Sequence, residues 1–453
     1  MQVEVALDYA DNLVVSHTGR HLSNLQTAIF RGAWRGQKYE DIAQDNYCSD
    51  SHAKMVGANL WDILSQELGE KVTKKNLRAV LERRYSQIQK QQSPTLTAQN
   101  QPTQDGSSHD TVPALNLELP EGQVELNSLF YIERQPLEQQ CYQTVLKPGS
   151  LIRIKAPCQM GKTSLMTRIL AQAASKGYRT VVLDFQLAEQ RIFQDLDLFL
   201  QWFCASVGLG LQLPNKVREY WDDIFGSKIS STAYFKEYLL TEIEQPLVLA
   251  LEKVDLIFGH ATLADDFFSL LRAWHEEAKN NPIFKKLRLV LVHSTEVYIP
   301  LNINQSPFNV GLPVELEEFS PSQVLDLAQR HRLTWQNQEI ERLMGMVGGN
   351  PYLVRVALYH IAKGEMSLGE FLQFAPTEAG PLKAHLHRHR WNLEQHQELA
   401  QAMQRVLDGS VSVQLESLEM FKLHSMGLVN LRGNEVMPRC QLYCKYFRNL
   451  WQR

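Results

Sequence analysis

A short run, APCQMGKTS at positions 156–164, contains the residue types that bind the phosphates of a nucleotide. It follows the apolar run LIRIKA and precedes a helical pattern that begins at Thr163, which is the strand–loop–helix context that such a loop requires. Backbone N–H groups of the loop and of the helix N-terminus would surround the phosphates, and Lys162 would reach the β- and γ-phosphates. Gly161 lets the backbone approach the ligand closely, whereas Ala156 stands where glycine is commoner. The loop predicts binding of ATP or ADP with Mg²⁺. Its expected nucleotide-binding residues are Ala156, Pro157, Gln159, Met160, Gly161, Lys162, Thr163 and Ser164.

A carboxylate that holds the Mg²⁺ is expected at the end of an apolar strand two crossovers later. The strand LVLAL is present, and Glu252, Lys253, Val254 and Asp255 follow it. In P-loop ATPases of the glutamate-using kind, an Asp at the position of Glu252 holds the metal, and a Glu at the position of Lys253 polarises the attacking water. A charged lysine accepts no proton, and Asp255 could replace the missing carboxylate only if the strand end is distorted. Glu252 and Asp255 are therefore the candidate catalytic residues, Thr163 and Glu252 the candidate Mg²⁺ ligands, and fast hydrolysis is not expected.

Three further segments contribute candidate nucleotide-binding residues. His293 and Ser294 end the apolar strand LRLVLVHS, where a polar residue either contacts the γ-phosphate or caps the strand. Arg355 lies one turn into a later helix and is a candidate phosphate sensor. The stretch FYIERQ, which contains Arg134, precedes the first strand and resembles the segment that lies near adenine in related ATPases. These residues complete the predicted nucleotide site.

Near-continuous apolar strands alternate with helical patterns from residue 151 to about 320. This pattern predicts an α/β domain with a parallel sheet that is covered by helices on both faces. After Ser320 the pattern becomes helical, and GGNPY at 348–352 is typical of one helix stopping and another starting. A hairpin around residues 432–434, flanked by helices, predicts a winged helix at the end.

The first 87 residues have helical periodicity and the outline of a helix-turn-helix. His52, Lys54 and Asn59 would lie on its recognition helix, flanked by Asp50 and Asp62, so that this helix is not strongly basic and DNA reading and protein docking both remain open. A stretch rich in Gln, Ser, Thr and Pro then predicts a flexible linker. The expected organisation is a helix-turn-helix domain at 1–87, a linker at 88–122, a P-loop NTPase core at 123–319, a helical lid at 320–400 and a winged-helix-like domain at 401–453.

Composition excludes several classes of protein. The formal charge of −4 argues against a protein whose whole surface coats nucleic acid, and six scattered cysteines without a CxxC pair do not make a disulfide scaffold. Acids near the start replace the basic region of a signal peptide, and no apolar run is long enough to cross a membrane, so that a cytoplasmic protein is expected. The run HLHRHR at 385–390 offers only two histidines on one helix face, which favours a solvated polar face over a metal site.

Residues 123–453 resemble the AAA-like domain of many multidomain cyanobacterial proteins. The segments that carry the resemblance are YIERQPLEQQCYQ, LIRIKAPCQMGKTSLM, WFCASVGL, DDIFGSK, LRLVLVHSTEVYIPLNINQSPFNVGLP, GGNPYLVRVALYH and FKLHSMGLV. Residues 1–86 resemble the N-terminal helix-turn-helix domain of vWA–MoxR-associated proteins through HLSNLQTAIFRGAW, YEDIAQDNYCSDSHAKMVGANLW and LGEKVTKKNLRAVLERR. The resemblance implies an ATP-binding module related to signalling NTPases that act as switches, in a regulatory setting. The family usually has Asp-Glu where this chain has Glu252-Lys253, a departure that concerns turnover and not the fold.

Three functions fit these observations. The leading hypothesis is a switch in which the bound nucleotide changes how the N-terminal domain, a protein partner or a homo-oligomer face is presented. A DNA-binding regulator with an ATP-controlled helix-turn-helix is the first alternative, and a pseudo-ATPase scaffold is the second.

Overall fold

The structure is a computed structural model, and it describes residues 22, 24–45, 50–68, 70–81, 83–84, 117–295, 307–409 and 412–451, with scattered positions between residues 3 and 14. The chain divides into two compact units, residues 1–111 and 112–453. Most of the predicted linker, 88–116, lies outside the described residues, as does the side chain of His52 on the predicted recognition helix.

The N-terminal unit is helical, as predicted. Its helices are α1 (Asn24–Trp34), α2 (Tyr39–Asp45) and α3 (Asp50–Leu68). They bury one apolar core, to which Ile29, Phe30, Ile42, Leu60 and Leu64 belong. Gly57 permits the close approach of α3 to α2, because a Cβ there would lie 2.5 Å from the Tyr39 hydroxyl.

The larger unit contains a five-stranded parallel sheet, which confirms the α/β prediction. Its strands are β1 (Leu151–Ala156), β2 (Arg179–Asp184), β3 (Leu247–Glu252), β4 (Leu287–Ser294) and β5 (Leu312–Glu315), in the order β2-β3-β4-β1-β5. Every residue of β4 is buried, as expected for a strand covered on both faces. The register places Ala156 beside Ser294 and Asp184 beside Glu252, so that the carboxyl ends of four strands meet at one edge.

Helices cover both faces of this sheet. They are α4 (Leu137–Val145), α5 (Lys162–Ala174), α6 (Leu196–Gly210), α7 (Val217–Tyr220), α8 (Gly226–Ala233) and α9 (Ala261–Glu277). The chain of α8 continues through a π-helical stretch, Tyr234–Leu239, and a last turn, Leu240–Glu242. One face packs α4 and α5 against aliphatic residues of β1, β3 and β4. The other face packs a core rich in aromatic side chains, among them Phe199, Phe203, Phe267 and Trp274.

The C-terminal part is mostly helical, as predicted. Its elements are α10 (Pro321–Arg330), α11 (Asn337–Val347), α12 (Pro351–Ala362), α13 (Leu368–Phe374), α14 (Lys383–Glu394), α15 (Gln397–Asp408), β6 (Val413–Gln414), α16 (Ser417–Ser425), β7 (Val429–Arg432), β8 (Glu435–Pro438) and α17 (Gln441–Trp451). The three short strands form an antiparallel sheet in the order β6-β8-β7. A single helix, α16, stands between β6 and the hairpin, and the winged-helix assignment stays a prediction.

Two expectations about the whole chain can be compared with the described part. Among the described residues, Cys141, Cys158, Cys204, Cys440 and Cys444 are not joined in disulfides. No helix in the described ranges is both long and apolar enough to cross a membrane.

Candidate functional site

The loop between β1 and α5 has the geometry of a phosphate-binding loop. Gly161, the last residue before α5, has φ +94°, a conformation that residues with a Cβ rarely adopt. The Lys162 ammonium turns back over the loop and donates to the carbonyl oxygens of Ala156 at 2.9 Å and Pro157 at 2.8 Å. Gly161 provides no side-chain cap for the 13-residue α5, and the N–H groups at a helix N-terminus are suited to bind an anion.

The two candidate Mg²⁺ ligands meet at the edge of the sheet. The Thr163 hydroxyl donates to the Glu252 carboxylate. A hydroxyl and a carboxylate are oxygen ligands of the kind that Mg²⁺ prefers. The structure therefore brings together two residues that are separated by some ninety positions in the sequence.

Lys253 is directed toward the end of β2. Its backbone is in the left-handed region, with φ +56°. Its ammonium lies 2.7 Å from Asp184 Oδ2 and also donates to Gln186. The position at which related ATPases have a water-polarising glutamate thus holds an ion-paired cation.

Asp255 lies at the end of β4, because the chain turns sharply after β3. The left-handed Lys253 is followed by a 3₁₀ turn, Val254–Ile257. This turn places Asp255 Oδ1 where it accepts a hydrogen bond of 2.9 Å from the Ser294 backbone N–H. The distortion that sequence reasoning required for Asp255 is present. Ser294 also lies close to the loop, with its Oγ 3.7 Å from Cys158 Sγ.

His293 packs among aromatic rings. Its ring lies 5.2 Å from that of Phe308 and 6.0 Å from that of Phe258, measured between centroids. Burial lowers the pKa of His293 to about 4. The side chain is therefore neutral at physiological pH, and its assignment to nucleotide binding stays a prediction.

A cavity of about 440 Å³ opens beside the phosphate-binding loop. The loop side contributes Gln159, Gly161 and Ser164, and the helical part contributes Phe319, Pro351, Tyr352 and Arg355; the remaining walls are residues 118–125, residues 130–132 and Arg134. A cavity of this volume is within the range of small-molecule sites. The candidate residues Arg134, Gln159, Gly161, Ser164 and Arg355 all line it.

Residues 118–125, here called the strap, form one wall of this cavity. Val124 donates its N–H to Ser164 Oγ at 2.9 Å, and Arg168 donates to the carbonyl oxygens of Val124 and Glu125 at 3.1 and 2.7 Å. At the other end Arg355 donates to the Glu118 carbonyl at 3.1 Å. Sequence reasoning placed residues 118–122 in the linker, because Glu, Pro and Gly dominate them. The sequence feature that could have indicated an ordered strap is the apolar Leu117, which packs against the core of the helical part.

Arg134 and Arg355 both line the cavity, and each has buried side-chain nitrogen atoms that make no hydrogen bond. Arg134 donates to the Met160 carbonyl at 2.9 Å, but its Nε is buried without a hydrogen bond. The guanidinium of Arg355 lies 4.3 Å above the Phe130 ring, and its Nε and Nη1 have no partner. Burial lowers the pKa of Arg355 to about 10, so that it is charged at neutral pH. Buried donors are normally satisfied, so that the unpaired atoms make these two arginines candidates for rearrangement around a polar or anionic ligand.

Glu138, which sequence reasoning missed, fixes the segment that carries Arg134. Its carboxylate is buried and accepts hydrogen bonds from the Arg134 backbone N–H at 2.9 Å and from the hydroxyls of Tyr131 at 2.7 Å and Tyr142 at 3.1 Å. The Arg168 guanidinium lies 3.3 Å from the centre of the Tyr131 ring. The only sequence feature that could have indicated this role is the spacing, because Glu138 follows Arg134 by four residues.

The prediction that HLHRHR forms a solvated face is wrong. His385 and His389 are 3% and 1% exposed, and only His387 of the three points to solvent, where it pairs with Glu378. Their face is buried because α14 packs between the loop and α17: His385 contacts Gln159 at 2.6 Å and the Tyr443 hydroxyl at 2.9 Å. Among the described residues no group of three His, Cys, Asp or Glu could hold a metal.

The N-terminal part of the chain matches a family model, and the larger part is similar to several solved structures. Residues 1–84 match the model of the vWA-MoxR associated protein N-terminal HTH. The Walker-type ATPase of Pyrococcus abyssi is similar in structure, with 12% identity, a TM-score of 0.47, and coverage of 70% of this chain and 96% of that chain. The ORC2 protein of Aeropyrum pernix, in ADPNP–ADP complexes, has 14% identity, a TM-score of 0.44, and coverage of 71% and 97%. Domain III of the Thermotoga maritima replication initiation protein DnaA has 14% identity, a TM-score of 0.33, and coverage of 53% and 91%.

No curated protein matches the sequence. The match that spans most of the chain is to the family model described as AAA-like domain, over residues 119–449. This range includes residues 119–125 of the strap, the phosphate-binding loop, the five-stranded sheet and most of the helical part. On that match the chain belongs to the AAA-like domain family.

Proposed function

We propose that the protein is an ATP-binding regulatory switch whose nucleotide state controls partner interaction or assembly, with slow or absent hydrolysis. The observation that carries the proposal is the cavity of about 440 Å³, because it joins the phosphate-binding loop to the strap and to the helical part. A ligand held there contacts three segments that are distant in sequence. Its binding would favour one relative arrangement of them.

The residues around the cavity fit ATP and Mg²⁺ in their chemistry. Lys162 and the N–H groups at the start of α5 would bind phosphate oxygens. Thr163 and Glu252 would hold the metal, which would neutralise phosphate charge when bound. The unpaired donors of Arg134 and Arg355 would bind further polar groups of the nucleotide, and the apolar Phe130, Phe319 and Pro351 suit the base.

Slow hydrolysis follows from the charge at the end of β3. The Lys253 ammonium offers no lone pair to an attacking water, and it is ion-paired with Asp184. Asp255 is engaged by the Ser294 N–H. The bound state would therefore change mainly through nucleotide exchange.

The strap would transmit a change at the nucleotide site to the residues that precede it in the chain. It includes the end of the segment predicted as linker, and its backbone is held by Ser164 and Arg355, which line the cavity, and by Arg168. A nucleotide that rearranges these side chains would loosen or tighten the strap. The tether to residues 1–87 would respond.

Calorimetry with the full chain tests the proposal. Lys162→Ala should weaken ATP binding at least about tenfold, because a hydrogen bond to a charged group contributes about 1.5–3 kcal/mol. Lys155→Ala is the matched control, since Lys155 pairs with Glu315 at the exposed edge of the sheet, and it should bind ATP as the wild type does. Equal ATP affinity of Lys162→Ala and wild type would refute the nucleotide site.

Light scattering after size exclusion separates the switch from the scaffold. The switch predicts that ATP changes the mass or elution of the wild type, with or without a partner protein, but not of Lys162→Ala. ATP binding without any such change would favour a pseudo-ATPase scaffold.

A DNA-binding regulator is the second candidate, on the strength of the helix-turn-helix match at residues 1–84. One contact on α3 weakens this candidate. Lys54 is paired with Asp50 on the same helix, so that its positive charge is partly neutralised before any contact with DNA. Tight binding to DNA at physiological salt, with a steep salt dependence, would promote this candidate.

A further inference from the structure

A hydrogen-bonded chain of three side chains leads from the nucleotide cavity to the last helix. Gln159 belongs to the phosphate-binding loop and lines the cavity. Its Oε1 lies 2.6 Å from Nδ1 of His385 on α14, and Nε2 of His385 lies 2.9 Å from the hydroxyl of Tyr443 on α17. The three residues are called the relay below.

The polarity of the relay is fixed by its chemistry. An amide oxygen only accepts, so His385 Nδ1 must carry a proton, and burial holds the pKa of His385 well below its usual range. The neutral ring then has an acceptor at Nε2, to which the Tyr443 hydroxyl donates. Each hydrogen bond thereby determines the direction of the next.

The relay is buried at its His385–Tyr443 hydrogen bond and part-buried at its contact with Gln159. His385 and Tyr443 are 3% and 2% exposed. The ring of His389 lies edge-on to His385 at 4.6 Å between centroids. Because leaving a buried polar group unsatisfied is costly, a movement of Gln159 would favour a rearrangement of His385 and Tyr443.

Two further contacts join the C-terminal elements to the phosphate-binding loop and to the end of β4. Thr295, directly after β4, donates to the Ser425 carbonyl at the end of α16 at 2.7 Å. Gly427 lies against Pro157 of the loop, where a Cβ would be 3.3 Å from the proline ring. The relay is thus bordered by close packing, and it begins at a residue that faces the nucleotide cavity.

We propose that His385 is a positioning residue that couples the phosphate-binding loop to α17, so that nucleotide bound beside Gln159 changes the stability of α17 through Tyr443. This inference rests on the proposed function, since it needs nucleotide in the cavity. It adds a specific path to the C-terminal elements, which is separate from the strap.

Hydrogen–deuterium exchange of the full chain, with and without ATP and Mg²⁺, tests the relay at α17. In the wild type, ATP should change the exchange rate of amides in Gln441–Trp451 at least about threefold. Tyr443→Phe removes only the hydroxyl and should abolish this response while ATP affinity stays within about threefold. Tyr446→Phe is the matched control on the same helix, because its hydroxyl bonds Glu378 instead, and it should keep the response.

Variants of His385 separate the two halves of the relay. Asparagine places an N–H near Nδ1 but cannot reach Tyr443, so His385→Asn should keep ATP affinity near that of the wild type and lose the response of α17. His385→Leu leaves Gln159 without its partner and should also weaken ATP binding at least about threefold. Recovery of affinity by Asn relative to Leu would not be expected of a residue that merely fills space.

The exchange rates of α17 in these variants either support or overturn the relay. Loss of the response in Tyr443→Phe but not in Tyr446→Phe supports the relay. A response that persists in Tyr443→Phe, is lost in both variants, or is absent from an ATP-bound wild type overturns the relay and leaves the nucleotide site intact. A wild type that binds no ATP overturns the proposed function, and the relay with it.

Discussion

At the scale of single residues, Lys253 has the greatest consequence for turnover. Its side chain and that of Asp184 are 42% and 25% exposed, and ion pairs of this kind contribute only about 0–1 kcal/mol. The pair therefore matters little for stability. Its importance is for turnover, because Lys253 occupies the position at which a glutamate would orient the attacking water.

Replacing this cation should restore catalysis. Lys253→Glu should raise the rate of ATP hydrolysis at least about tenfold, about 1.4 kcal/mol of barrier, because water-orienting groups contribute about 10²–10⁴-fold. Repulsion by Asp184 would keep the new carboxylate off the end of β2. ATP affinity should change little, and steady-state phosphate release measures the rate.

Lys253→Gln is the control for this change, since it removes the charge without adding a base, and it should hydrolyse ATP about as slowly as the wild type. Brisk turnover by the wild type that is lost in Asp255→Asn and unaffected in Lys253→Glu would contradict the slow-hydrolysis proposal. Asp255 would then be the group that orients the water.

At the scale of elements, the junction between α11 and α12 holds the helical part against the sheet. Gly349 accepts a hydrogen bond of 2.7 Å from the Phe319 N–H, and a Cβ at Gly349 would lie 2.2 Å from the Phe319 carbonyl oxygen. Asn350 caps α12 by accepting from the N–H groups of Tyr352 and Leu353. The helix stop and restart expected from GGNPY is therefore also a tight backbone crossing.

Gly349→Ala should destabilise the larger unit by at least about 1–3 kcal/mol, the usual cost of forcing atoms into a packed site. Calorimetry of the full chain should show its melting temperature lowered. Gly345→Ala, on the exposed side of α11, is the matched control: its Cβ would meet only Gln441 Nε2 at 4.0 Å, and alanine in a helix is favoured over glycine by about 0.5–1 kcal/mol. Equal melting temperatures for the two variants would show that the close contact between Gly349 and Phe319 does not restrict residue 349 to glycine.

The elements also show what a sequence can predict here. The phosphate-binding loop was predictable, because strand, glycine, lysine and helix follow one another within APCQMGKTS. The strap and the relay were not, since each depends on contacts between segments far apart in the chain. His385 and His389 share one helix face, but only the packing of α14 against Gln159 and Tyr443 decides that the face is buried.

At the scale of the whole molecule, the division into two units predicts where proteases cut. The composition of residues 88–116 favours accessibility, whereas the strap is held by Arg168 and Arg355. Limited proteolysis should first cut between about 85 and 116 and release two stable fragments, identified by mass spectrometry. A first cut within residues 151–320 would contradict the domain boundaries.

The larger unit also buries four histidines, and these predict how its stability depends on pH. His293, His331, His385 and His389 are 7%, 2%, 3% and 1% exposed. Burial lowers the pKa of His293 and His331 to about 4 and that of His389 to about 3, and it holds the pKa of His385 well below its usual range. In the unfolded chain each would titrate near 6.5.

Because the folded pKa values are depressed, the unfolded state binds more protons below pH 6.5, and stability is present above that pH and lost as the pH falls toward 4. Each histidine then costs up to about 1.4 kcal/mol per pH unit. Between pH 7.5 and 5.5 these four groups should lower the free energy of unfolding of this unit by on the order of 5 kcal/mol, as measured by urea titration at both pH values. His275 and His424, whose pKa is also lowered by burial, act in the same direction. His389→Phe should reduce the loss by about 1.4 kcal/mol, the contribution of one such group over this range. A midpoint that does not move between the two pH values would show that these histidines are not held neutral by burial.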